Sequence, residues 1–281
     1  MKKTLLFPIV VFALMIAAYF TGCKKSSTVE ADANALTADE QSLVAAAGFN
    51  SNWTEKTENG AFRIEQDIVL TNEQLQEMAG AAPSHNLIVA NEEHYRTFNL
   101  VSTPSSGSRV ITVRLTDGFP AYYSTALDHA LARYNGYGLR ISFQRVSTGG
   151  EIVITAANLG TSGGGCILGQ ASGFPTSDGN PSSGFTLSNS SCATSYINTV
   201  DKADEVIAHE MGHCIGFRHT DYKKRASCGP GAGETAGTIG AVHIDGTPTN
   251  VTAAYDSWMM ACTNSNPNFN AADVVALKNI Y

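Results

Sequence analysis

Eleven residues from His209 to His219, reading His-Glu-Met-Gly-His-Cys-Ile-Gly-Phe-Arg-His, carry the side chains best able to do chemistry. Positions four apart lie one above the other on a helix, so His209 and His213 can bind one zinc ion. Glu210 follows the first histidine and can reach a water held on that metal. Gly216 stands three residues past His213, where the helix must stop. A glycine takes a left-handed conformation there at low cost, turning the chain so that His219 returns as a third ligand. Three neutral imidazoles leave a fourth position open for water, which separates catalytic from structural zinc. Helix-surface histidines do fall at this spacing by chance, but the glycine and third histidine in register argue for a zinc site.

The eleven-residue run resembles the zinc signature of the metzincin metallopeptidases. The wider stretch His209 to Asp221, HEMGHCIGFRHTD, is similar to a bacterial branch, the dual-action HEIGH metallopeptidases. The resemblance implies an α+β fold: a twisted mixed sheet with a long backing helix, a zinc helix and a C-terminal helix. It implies one Zn²⁺ per chain and protein or peptide substrates. Ser257-Trp258-Met259-Met260-Ala261 looks like the metzincin Met-turn, which would set Met259, with Met260 as the second choice, beneath the zinc as an apolar floor and not as a ligand. Astacin-type enzymes carry a tyrosine two residues beyond this methionine. Ala261 stands there in this chain, so that role is not implied. Ile64-Glu65-Gln66-Asp67-Ile68 resembles the Phe-x-Gly-Asp-Ile element of astacin pro-segments, whose aspartate sits on the catalytic zinc. On that likeness Asp67 is a latency ligand, with Ile64 in place of the phenylalanine and Gln66 in place of the glycine. The alternative is a plain edge strand with one exposed aspartate.

The elements that must position these residues sit in a chain of 281 residues, 43% hydrophobic and 15% charged, with a formal net charge of −7. That content supports an ordinary core, and the negative balance argues against a nucleic-acid partner. Lys2 and Lys3 precede an apolar run from Leu5 to Phe20, so residues 1–23 read as a targeting segment. Phe20-Thr21-Gly22-Cys23 resembles the lipobox of bacterial lipoproteins, which makes Cys23 the lipidated N-terminus of an exported, membrane-anchored envelope protein. An ordinary secretory signal or a single span is the alternative. Residues 24–35 suit a flexible tether, residues 36–106 a small pro-segment leaning on its C-terminal neighbour, and residues 107–281 the catalytic domain. The breaker cluster Thr103 to Ser108 marks the boundary. Oligomeric state is not legible in the sequence.

Along the chain, Leu36 to Gly48 is expected to be helical, Phe62 to Leu70 a strand, and Thr71 with Gln74 a capping box opening a helix. His94 to Val101 reads as extended. Strands are expected at Val110–Leu115, Leu139–Val146 and Ile152–Thr155, with an amphipathic helix over Tyr122–Tyr137. Gly164 to Ala171 resembles the metzincin edge strand along the cleft, or is a surface loop. Phe174 to Ser191 reads as a long polar loop. Val206, Ile207, Met211, Cys214 and Ile215 form the buried side of the zinc helix, and Ala272, Val275, Leu277 and Ile280 the core side of a closing helix. His243 is the one other loop histidine able to bind metal or substrate.

Setting aside Cys23 leaves five cysteines of the six. Among many possible pairings, Cys166 with Cys192 and Cys228 with Cys262 would close two loops and leave Cys214 free and buried. The chemistry read from these residues is peptide hydrolysis, with Zn²⁺ on the three histidines and Glu210 moving the proton of the attacking water. Two other classes compete: a zinc amide hydrolase acting on cell-wall material, and a non-catalytic zinc-containing binding or adhesion lipoprotein.

Overall fold

The computed structural model describes residues 35–80, 94–162, 164–228, 234, 240–248, 256–262 and 268–281. The targeting segment, Cys23 and all but the last residue of the tether lie outside the described residues. Among the described residues no helix is long and apolar enough to cross a membrane.

Helix α1 (Ala38–Ala46) begins at Thr37, whose side chain and Glu40 form a capping box. Strands β1 (Thr54–Lys56), β2 (Phe62–Ile64) and β3 (Ile68–Leu70) form an antiparallel meander, with α2 (Asn72–Gly80) after it. The expected single strand over Phe62–Leu70 is therefore a hairpin. Ile64 pairs with Ile68, and Glu65 and Gln66 make the turn at φ 55° and 77°. A loop of this length keeps Phe62, Ile64, Ile68 and Leu70 on one buried face, which is why strand alternation survives across it. The polar Glu-Gln-Asp interruption was the turn signal. The capping box at Thr71 and Gln74 forms as expected.

The remaining elements are β4 (Tyr95–Arg96), β5 (Arg109–Leu115), α3 (Ala121–Asn135), β6 (Ile141–Arg145), β7 (Ile152–Ala157), β8 (Thr161–Ser162), β9 (Gly165–Cys166), β10 (Gly169–Ala171), β11 (Gly184–Ser188), α4 (Ser191–Tyr196), α5 (Val200–Cys214), β12 (Val242–His243) and α6 (Ala271–Ile280). The main sheet is mixed, in the order β1-β2-β3-β10-β11-β7-β5-β6. Strands β6, β5, β7 and β11 run parallel, β10 is antiparallel to β11, and β3 adds to β10 in parallel. Ile111, Val113, Ile152, Ile154, Phe185 and Leu187 are buried on one face of it. They share a core with Tyr123, Leu127, Ala130, Leu131 and Tyr134 of α3, the backing helix, and with Ile207 and Met211 of α5. A second cluster joins Val44, Phe49, Phe62, Ile64, Ile68, Leu70 and Leu75 to Phe174.

Two further expectations are corrected. The stretch read as a polar loop from Phe174 to Ser191 contains β11, a strand inside the sheet. Its five residues Gly-Phe-Thr-Leu-Ser are hidden among serines and glycines, and Gly184 is held against the backbone of Val153 with no room for a Cβ. Val275 is 37% exposed and not a core contact, whereas Asp273, Ala276, Leu277 and Ile280 are buried. Cys166–Cys192 and Cys228–Cys262 are disulfides, with Cα atoms 5.9 and 5.2 Å apart, and Cys214 is free and buried.

Candidate metal centre

Helix α5 starts where the Thr199 side chain accepts from the Lys202 N–H and runs to Cys214. Its end is a Schellman motif: the Phe217 N–H donates to the Gly212 carbonyl at 2.9 Å and the Gly216 N–H to the His213 carbonyl at 3.0 Å. Gly216 sits at φ 102°, and a Cβ there would press on Leu100 Cδ2 at 2.9 Å. The turn brings His219 back beside His209 and His213, with ring centroids 4.8 to 5.5 Å apart.

Each ring is held from behind through its Nδ1. His209 Nδ1–H donates to the Trp258 carbonyl at 2.9 Å, His213 Nδ1–H to the Phe217 carbonyl at 2.9 Å, and His219 Nδ1–H to Glu234 Oε1 at 2.6 Å. These partners fix the tautomer, so every Nε2 lone pair faces the common centre. Asp67 Oδ2 lies in that centre, 2.7 Å from His219 Nε2, 3.6 Å from His209 Nε2 and 3.8 Å from His213 Nε2. His213 Nε2 and Glu210 Oε2 are buried without a hydrogen-bond partner. Three imidazole nitrogens, one carboxylate oxygen and these orphaned atoms fit a divalent ion such as zinc.

The hairpin turn carries Asp67 into the centre. Ala171 N–H donates to the Asp67 carbonyl at 2.6 Å, adding β3 to β10. Gln66, standing where the resembled element has glycine, takes the left-handed backbone that a glycine favours. Glu210 is buried beside β10, and a Cβ on Gly169 would meet its Cγ and Cδ at 2.8 Å. Gly169 is thus the space in which the Glu210 carboxyl lies.

Met259 is buried under the helix, its sulfur occupying the room that a side chain on Gly212 would need. The turn around it is fastened to the third histidine's neighbour: Thr220 N–H donates to the Met259 carbonyl at 2.7 Å, and the Thr220 and Ser257 hydroxyls are 2.6 Å apart. Asp221 accepts from Ala261 N–H and Ser227 N–H, both at 2.9 Å, beside the Cys228–Cys262 disulfide. Ala261 therefore ties the turn by its backbone. His243 lies in β12, away from this cluster, with Nε2 2.8 Å from the Thr247 hydroxyl.

Sequence reasoning missed the charged network behind His219. Glu234 Oε1 also accepts from Arg225 at 2.7 Å, and Arg218 reaches Glu65 at 2.5 Å and Glu234 at 3.4 Å. All four side chains are buried. Burial works against ionising Glu234, but His219 and the two arginines outweigh it and hold the carboxyl down at about 2. Burial opposes a charge on His219 as well, and Asp67 and Glu234 overcome that, keeping its proton affinity well above ordinary. Burial, reinforced by Asp67, pushes Glu210 well up. The available signal was that Glu234 is the lone acidic residue between Asp221 and Asp245.

Residues 62–281 match the family described as dual-action HEIGH metallo-peptidase. No curated protein matches the chain. Among solved structures the chain is similar to myroilysin, at 18% identity over 65% of this chain and 97% of that one, with a TM-score of 0.40. It is also similar to high choriolytic enzyme 1, a hatching-enzyme zinc protease of the medaka Oryzias latipes, at 14% identity over 64% and 92%, with a TM-score of 0.36.

Proposed function

This chain belongs to the dual-action HEIGH metallopeptidases and is a zinc metallopeptidase, and from that premise we propose an exported, lipid-anchored endopeptidase with Glu210 as general base. The observation carrying the reading is the convergence of three Nε2 atoms whose Nδ1 partners lie outside the centre. His209, His213 and His219 would hold Zn²⁺, which when bound would supply a Lewis acid for the scissile carbonyl and bring the pKa of a water toward neutrality. Glu210 accepts the proton of the attacking water on its carboxylate and delivers it to the departing amine nitrogen. The burial that raises its pKa suits a group that must carry a proton partway through the cycle. Met259 supports the histidines from below.

Cleavage of casein, blocked by a chelator, separates this reading from a cell-wall amide hydrolase and from a binding module. In Glu210→Ala, turnover falls by at least about 100-fold while zinc stays near one per chain. Peptidase activity surviving in that variant removes the general-base assignment.

Asp67 is the latency ligand in this reading, supported by its Oδ2 lying among the three Nε2 atoms. Asp67→Ala makes the unprocessed chain more active than the wild type, and equal or lower activity defeats the idea. The anchor is read from Gly22-Cys23. Cys23→Ala moves the protein from the membrane fraction to the soluble one, and a variant that stays with membranes speaks against lipidation.

A further inference from the structure

The three histidines of the centre are braced by partners of different origin. His213 leans on the Phe217 carbonyl, four residues on in its own turn, and His219 on the buried Glu234. His209 leans on the carbonyl of Trp258, 49 residues away. It is also the least enclosed of the three, its side chain 14% exposed where the other two are fully buried. Packing restrains His209 least, so the direction of one distant carbonyl matters most for it.

That direction is set from α6. Asp273 closes the capping box of this helix, its Oδ2 accepting from Asn270 N–H at 2.8 Å. Capping alone asks for no more, yet this carboxylate is wholly buried and two further donors reach it. His94 Nε2–H donates to Oδ1 at 2.7 Å and Trp258 N–H to Oδ2 at 3.3 Å. A carboxylate taken out of water is costly unless donors meet it, and here they come from both sides of the helix start. At its other end Trp258 donates its indole N–H to the Tyr134 hydroxyl at 3.0 Å. That hydroxyl donates in turn to the carbonyl of Ala208, the neighbour of His209 in α5, at 2.7 Å. With its backbone N–H and its indole both tied, Trp258 has little freedom to swing its carbonyl.

We propose that Asp273, held by His94, is a positioning residue for the first histidine: acting through Trp258, it aims His209 Nε2 at the metal. The C-terminal helix thereby governs how long zinc is retained. The proposal rests on the three-histidine reading of the centre. Its effect falls on one ligand of three, since His213 and His219 have other partners.

The test follows zinc leaving the loaded full chain for a chromophoric chelator in excess. Asp273→Ala releases zinc about ten-fold faster than the wild type. Asp273→Asn, which keeps an acceptor oxygen for Trp258 N–H, recovers most of the difference. Leu277→Ala cuts into the buried side of α6 and leaves Asp273 in place; it lowers the melting temperature without changing the rate. Should Asp273→Ala not fold, Asp273→Asn decides by proton NMR, where the Nδ1–H resonance of His209 moves while those of His213 and His219 stay. Wild-type release in Asp273→Ala, equal acceleration in Leu277→Ala, or a His209 resonance that stays or moves together with the other two overturns the proposal. If no peptide is cleaved while the release rates separate as stated, the positioning role stands and the peptidase reading fails.

Discussion

Glu234, the lone acid in a stretch of glycine, alanine and threonine, bonds His219 through one oxygen and reaches Arg218 and Arg225. On the proposed reading of His219 as a metal ligand, Glu234 supports the centre, because a partner behind a ligating histidine fixes its orientation and raises its basicity. Its depressed pKa has a definite sign. An acid held down to about 2 contributes stability that is fully present above its ordinary 4.5 and is lost as pH falls toward 2. Glu234→Gln removes that contribution and leaves Arg225 and His219 short of a counter-charge, at a cost of about 3 kcal/mol near neutrality. Melting temperature plotted against pH should therefore fall more steeply below pH 4.5 in the wild type than in the variant. Parallel curves would show that Glu234 does not carry this charge. Gly169 and Gly212 illustrate the opposite case, residues whose contribution is space: one for the Glu210 carboxyl, the other for Met259.

At the scale of elements, the stretch from His94 to Val101 is fastened to the chain leaving α5 and to α6. His94 Nε2 lies 2.7 Å from Asp273 in α6, both buried, and the same aspartate accepts from Trp258 N–H at 3.3 Å. Trp258 in turn holds His209 through its carbonyl, so α6 reaches the candidate metal centre through one residue. Thr97 N–H donates to the Gly216 carbonyl and Arg218 N–H to the Tyr95 carbonyl, securing the chain as it leaves α5. A chain beginning at His94 should melt at a higher temperature than one beginning at Gly107, by the equivalent of about 1 to 3 kcal/mol for the severed buried hydrogen bond. Equal melting temperatures would mean that these contacts contribute nothing net.

For the whole molecule, what could be read beforehand was whatever the chemistry imposes on neighbours in sequence. The spacing of His209, His213 and His219, the glycine stop and the periodic face of α3 are local requirements, and each forms. The Glu65–Arg218 bond joins residues 153 apart, and β11 gains its place only from the strands on either side. Neither leaves a mark in its own segment. The two disulfides stood among many pairings until the fold brought their Cα atoms together. The way β3 lies on β10 has one last consequence. The Asp67 carbonyl is committed to the Ala171 amide, and what faces the imidazoles is a side-chain carboxylate. What the imidazoles meet there is a carboxylate oxygen and no scissile amide.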